Sequence, residues 1–195
     1  FGTGVGCTDL LYGMVTGKSW VLVPETVKFN LVGKLPEGVY ARDLILTIIG
    51  TIGANGCNYQ VMEFTGEGAK TLSISERMVL CNMAVEAGAK TGIFEPDEKA
   101  IEYLEAHGRK PKALFTSDPD AVYAREYTFD LSKIRPVVAK PDFVDNLVPA
   151  EEVRGVKIDE AFLGSCNNGR IEDLRQLPGC YRRERSPDQH RYEKL

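Results

Sequence analysis

The sequence lacks most features that would assign it quickly to a class. No CxxC pair occurs, and the five cysteines, Cys7, Cys57, Cys81, Cys166 and Cys180, are odd in number and widely scattered. That pattern excludes a secreted disulfide framework and points to a reducing, cytoplasmic compartment. No apolar run approaches the roughly 18 residues needed to cross a bilayer. The start, Phe1-Gly2-Thr3-Gly4, has neither the basic end nor the apolar core of a signal peptide. It also lacks an initiator Met, so the chain reads as an excised piece of something longer. Positive charge is not in excess: the net charge is −4, which removes the electrostatic case for nucleic acid.

What is present is an ordinary globular composition, 43% hydrophobic and 27% charged over 195 residues, long enough for a real core. Helix and strand signals alternate, the mark of an α/β fold. Trp20 to Glu25 and Thr26 to Val32 read as strands, the second by strict alternation. Tyr40 to Gly53 reads as a helix with an apolar stripe of Leu44, Ile45, Ile48, Ile49 and Ile52. Cys57 to Phe64 reads as a strand, with Cys57 a structural thiol, and 65–68 as a turn. Pro96 to His107 reads as a helix whose C-terminus His107 caps. A turn at Asp118-Pro119-Asp120 precedes a short helical piece at 121–123, then a strand over 127–131. Pro141 to Pro149 reads as a long loop of the kind that lines sites.

Two stretches carry chemistry. The first is Ser73 to Ala89. Ser73 and Glu76 form a capping box, and Gly88 is suited to end the helix. On such a helix Asn82 and Glu86, four apart, share one face among small and apolar residues. A polar pair there is costly unless it finds partners, although spacing alone equally fits an exposed stripe. The second is Gly164-Ser165-Cys166-Asn167-Asn168-Gly169-Arg170. An apolar run, Val156 to Leu163, leads into it, and Ile171-Glu172-Asp173-Leu174 is compatible with a following helix. The reading is a strand–turn–helix with a thiol at the tip, where glycines let the backbone approach a bulky ligand.

Both stretches resemble the aconitase superfamily. Gly164 to Arg170 is similar to its GSCTNGR segment, with Asn167 in place of Thr, and Cys81 to Gly92 is similar to CNMxxExGAxxG. The nearer resemblance is to the isopropylmalate dehydratase branch. It implies a three-layer α/β fold, a central sheet flanked by helices, over residues 1–175, as one core or two subdomains. Residues 176–195 would form an irregular tail. It also implies a hydro-lyase that moves a hydroxyl between neighbouring carbons of a 2- or 3-isopropylmalate-type dicarboxylic acid, in leucine biosynthesis, at a [4Fe–4S] cluster. On that resemblance Cys166 is a metal ligand with Asn168 beside it in the cluster turn. Asn82 contacts the cluster region, and Glu86 handles the bound oxygen. Cys81 is not a ligand in the family. One of three expected cysteine ligands is thus present; the CxxC pair and an Asp-Ser-His-Thr segment are not, and Cys180 does not replace them. The implied partner is a small subunit carrying a swivelling domain and the serine base. Homoaconitase is the enzyme alternative. A fragment inert in isolation, or a generic α/β binding module, are the alternatives from other classes.

Overall fold

A computed structural model describes residues 3–180, of which Asn168 and 176–180 are described by backbone alone. Helix α1 (Cys7–Thr16) opens it, closed by Gly17 in the left-handed region (φ 66°). Strand β1 (Thr26–Val32) follows, then helix α2 (Ala41–Ile52) and strand β2 (Val61–Thr65). A short helix α3 (Glu67–Thr71) and helix α4 (Ile74–Met83) lead through a 3-10 turn (Ala84–Ala87) to β3 (Thr91–Phe94). Helix α5 (Glu98–Ala106), strand β4 (Arg125–Asp130) and a hairpin of β5 (Val137–Ala139) and β6 (Leu147–Pro149) come next. The turn α6 (Ser165–Asn168) and helix α7 (Ile171–Cys180) complete it.

The four main strands form one all-parallel sheet in the order β3-β2-β1-β4. The expected α/β class therefore holds, with a parallel sheet and helices packed against it. One face of the sheet is apolar. Val27, Phe29, Leu31, Met62 and Phe64 are fully buried with Leu44, Ile45, Ile48 and Ile49 of α2 and Leu80 and Met83 of α4. Phe29 stacks on Tyr127 at 5.4 Å, and Phe64 on Phe94 at 4.9 Å. This burial supplies the main stabilisation, since each large side chain removed from water contributes about 1.5–3 kcal/mol. The other face carries Lys28, Asn30, Glu63 and Glu126, in register across the strands. Parallel sheets are ordinarily buried on both sides. Here the β3–β4 connection covers the polar side, through hydrogen bonds from Ser117 and Tyr123 to Glu63 and Lys28 lying over the Tyr123 ring.

Several local expectations are corrected. Trp20 to Val23 forms no strand and is exposed, and the β2 strand begins at Val61, with Cys57 to Gln60 in a turn. The 65–68 turn opens into α3, and no helix forms at 121–123. The 141–149 stretch is the loop and second strand of the β5–β6 hairpin; Asp43 of α2 accepts from the Val137 N–H in the first strand, and Asp145 accepts from the Ala54 N–H in the turn after α2. Val156 to Leu163 is not a strand: apolar residues form one only where a neighbouring edge offers a ladder, and Val156, Ile158 and Phe162 are exposed. Helix α7 carries the backbone on to Cys180, into the segment read as an irregular tail; residues 181–195 of that tail lie outside the described residues. Among the described residues no helix is long and apolar enough to cross a membrane.

Candidate functional site

Helix α4 is set by its own sequence at one end and by glycine at the other. Ser73 accepts from the Glu76 N–H at 3.2 Å, and Glu76 accepts from the Ser73 N–H at 2.7 Å, closing the expected capping box. Arg77, one turn in, is buried and makes a bidentate pair with Asp97, at 2.8 and 2.6 Å. Its Nε donates to the Leu72 carbonyl, and its guanidinium lies over the Phe94 ring. Asp97 in turn caps α5 by accepting from the Ala100 N–H. Arg77 was not singled out by the sequence, because its partner stands 20 residues away. The hydrogen bonds from Arg77, joined by those from the Ala100 N–H and the nearby Lys99 charge, hold the Asp97 carboxyl below its ordinary range against the opposing effect of burial.

This pair joins α4 and α5 as the walls of a cleft of about 490 Å³. Met78, Cys81, Asn82, Phe94, Tyr103 and Leu104 line it, and α6 supplies Cys166 and Arg170 follows on. Cys166 is a free, exposed thiol, and Cys81 is buried, with burial pushing its thiol up. Cys57 is buried in the core and its thiol is likewise raised by burial, in line with a structural role. The Asn82 amide donates to the side-chain carbonyl of Asn167, 85 residues on, so the two motifs meet directly.

Glu86 stands elsewhere. Helix α4 ends at Met83, and Glu86 lies on the following 3-10 turn, which Gly88 (φ 76°) closes. The expectation that Asn82 and Glu86 share one α-helical face is therefore corrected: a tighter turn rotates residue 86 away from the i+4 position. Glu86 does not line the cleft, yet its Oε2 is buried without a hydrogen-bond partner. Arg170 Nε is orphaned in the same way beside the cleft. Asn168 belongs to α6 by its backbone, and its side chain lies outside the described residues. His107 caps α5 as expected, with Nδ1 2.7 Å from the Tyr103 carbonyl.

The donor set bears on the cluster. Iron–sulfur clusters of this size are held by several thiolates. Cys166 fits one such position: it is free, exposed and on a cleft wall. Among the described residues no group of three or more His, Cys, Asp or Glu side chains could hold a metal ion, so the described residues fit one corner of a cluster and not the whole.

An all-parallel sheet flanked by helices, with a thiol and an amide brought to one cleft, defines an α/β protein. The chain belongs to the aconitase family (aconitate hydratase), whose pattern it matches over residues 1–155. It is 53% identical over 175 residues to the 3-isopropylmalate dehydratase large subunit of Heliobacterium modesticaldum. It is 50% identical over 175 residues to the 3-isopropylmalate dehydratase large subunit of Aquifex aeolicus. These matches cover 90% of this chain and 42% and 40% of those two proteins, so the chain spans under half the length of the curated relatives it matches. A probable 3-isopropylmalate dehydratase large subunit of Methanothermobacter thermautotrophicus is 48% identical over 188 residues, 96% of this chain and 45% of that protein.

Proposed function

We propose that this chain is the part of a 3-isopropylmalate dehydratase-type large subunit that supplies one cluster cysteine and the polar groups around it. The observation that carries the reading is the meeting of Asn82 and Cys166 at one cleft from two distant motifs, tied together by the Asn82–Asn167 hydrogen bond. When bound, a [4Fe–4S] cluster would act as a Lewis acid toward the substrate hydroxyl. In this chain Cys166 is the residue that would hold it, with Asn168 in the same turn. Asn82 offers amide hydrogen-bonding groups inside the cleft. Glu86, whose Oε2 is buried without a hydrogen-bond partner, is the carboxylate that the family resemblance would assign to proton handling. The substrate is a dicarboxylic hydroxy acid of the isopropylmalate type, the partner a small subunit with the swivelling domain, and the compartment a reducing cytoplasm. The names of the relatives support the substrate and a small-subunit partner, and four unpaired cysteines among the described residues support the third. Residues 1–175 would form the partial aconitase-like core.

The test is a chimera. Residues 1–175 of this chain replace the matching stretch of the Heliobacterium large subunit, which is purified with its small subunit and loaded with iron and sulfide anaerobically. Visible cluster absorption and hydration of an isopropylmalate dehydration product are the expected result. Cys166→Ala should lose the absorption; Glu86→Gln should keep it and lose turnover. A folded chimera without cluster, or a Cys166→Ala variant that keeps it, sinks the reading.

A further inference from the structure

The turn that carries Cys166 has little to hold it in place. Helix α6 is four residues long, too short to persist on its own, because helix nucleation is unfavourable. Residues 156–163, which lead into it, are exposed and pair with no strand. Ser165 sits in the left-handed region at φ 70°, which an L side chain rarely adopts and which the surroundings must therefore enforce. What α6 packs on is α4. The side-chain hydrogen bond that ties them runs from the Asn82 amide to the Asn167 carbonyl. Both partners are half-buried, where such a bond is less exposed to competition from water.

We infer that Asn167 is a positioning residue for the Cys166 thiol, docking its turn on α4 by accepting from Asn82. Asn167 is not among the residues that line the cleft; it acts through Cys166, next to it in the turn. The same contact uses one amide hydrogen of Asn82, so the Asn82 amide is oriented by the turn that it anchors. Asn167→Asp keeps the acceptor, loses the donor and adds a negative charge that a donor N–H tolerates, and Asn167→Thr keeps an oxygen acceptor on a shorter stem. Either should serve; Ala cannot. The inference rests on the proposed role of Cys166, and its test is independent of any cluster.

The test is the rate at which iodoacetamide alkylates Cys166 in the metal-free chain, read by mass mapping of the Cys166 peptide so that Cys7 does not interfere. Cys166 is exposed but lines the cleft wall, so undocking of the turn removes only the partial shelter of that wall from the thiol. Loss of one hydrogen bond should speed alkylation by about two- to fivefold in Asn167→Ala, less than for a fully protected thiol, and equally in Asn82→Ala. The double variant should be no faster than either single one, and Asn167→Asp and Asn167→Thr should stay at the parental rate. A parental rate in Asn167→Ala, additive effects in the double variant, or failure of both Asp and Thr to restore the rate would overturn the inference. The chimera's iron content answers the separate question of whether Cys166 is a ligand: a cluster-free chimera with this alkylation pattern intact would refute the function and leave the docking role standing.

Discussion

Asp97→Asn should weaken the chain far more than its position at the start of a surface helix suggests. The substitution keeps Oδ1, which caps α5, and removes the charge together with the Oδ2 acceptor of Arg77 Nη2. Arg77 then stays buried, its side chain 6% exposed, without a counter-ion. Removal of one partner of a buried pair ordinarily costs about 3–5 kcal/mol. Two features lower that figure here. Asp97 is itself 16% exposed, and Arg77 keeps its bond to the Leu72 carbonyl and its seat over Phe94. About 2–3 kcal/mol remains, and with an ordinary urea dependence the midpoint should fall by about 1 M at unchanged slope. Arg77→Met with Asp97→Asn removes both charges and should recover much of the loss, because an apolar replacement for a buried pair is often near neutral. The pH dependence has a definite sign. Asp97 is held below the ordinary 3.8, so in acid the unfolded chain takes up its proton first. Its contribution is complete above about pH 4 and is lost as the pH falls through the lower folded value. Asp97→Asn should lack that acid-side loss. A single variant within about 0.5 kcal/mol of the parent, or a double variant no better than the single, would refute the account, since a buried charge without a partner cannot be that cheap.

Two further outcomes follow from thiol burial and backbone packing. In the folded chain, iodoacetamide at pH 8 should modify Cys7 and Cys166 and spare Cys57 and Cys81 until urea unfolds the protein, because burial both shields the latter pair and raises their thiols; peptide mass mapping over a urea series checks this. Gly92→Ala should lower stability by about 1–3 kcal/mol, since an added Cβ would stand 2.7 Å from the Cys81 Cα, and backbone cannot swing aside; a melting temperature equal to the parent's would contradict it.

What the sequence made legible is what is decided locally. The Ser73–Glu76 box fixes the start of α4 within four residues, and the Leu44-to-Ile49 stripe fixes α2 within two turns. Alternation from Thr26 to Val32 foretells which face of β1 is buried. The failures share a cause. Val156 to Leu163 has a strand's composition, but it pairs with neither edge strand of the described sheet, β3 or β4, and composition alone does not make a ladder. Arg77 and Asp97 are ordinary helix residues until folding sets them together across 20 positions. Asn82 and Glu86 look equivalent by spacing, and the change from α to 3-10 geometry after Met83 separates them; the only local sign was Gly88, which marks an ending and not how the last turn is wound.

The family motif from Cys81 to Gly92 succeeds where periodicity fails because its residues answer to two different demands. Gly88 is required by backbone conformation, at φ 76°. Gly92 is required by contact, since β3 passes so close to α4 that a Cβ would strike the Cys81 backbone. Neither glycine bears chemistry, yet both are needed for α4 to end and the chain to re-enter the sheet within a few residues. That close return seats α4 on β3, and Asn82 is thereby held at the cleft wall where Asn167 meets it. The glycines set the scaffold and the amide uses it, so a substitution at either glycine should disturb the cleft without removing one of its polar groups. A motif with both kinds of residue at fixed spacing is hard to reach by chance, and a lone Asn and Glu four apart on a helix is not.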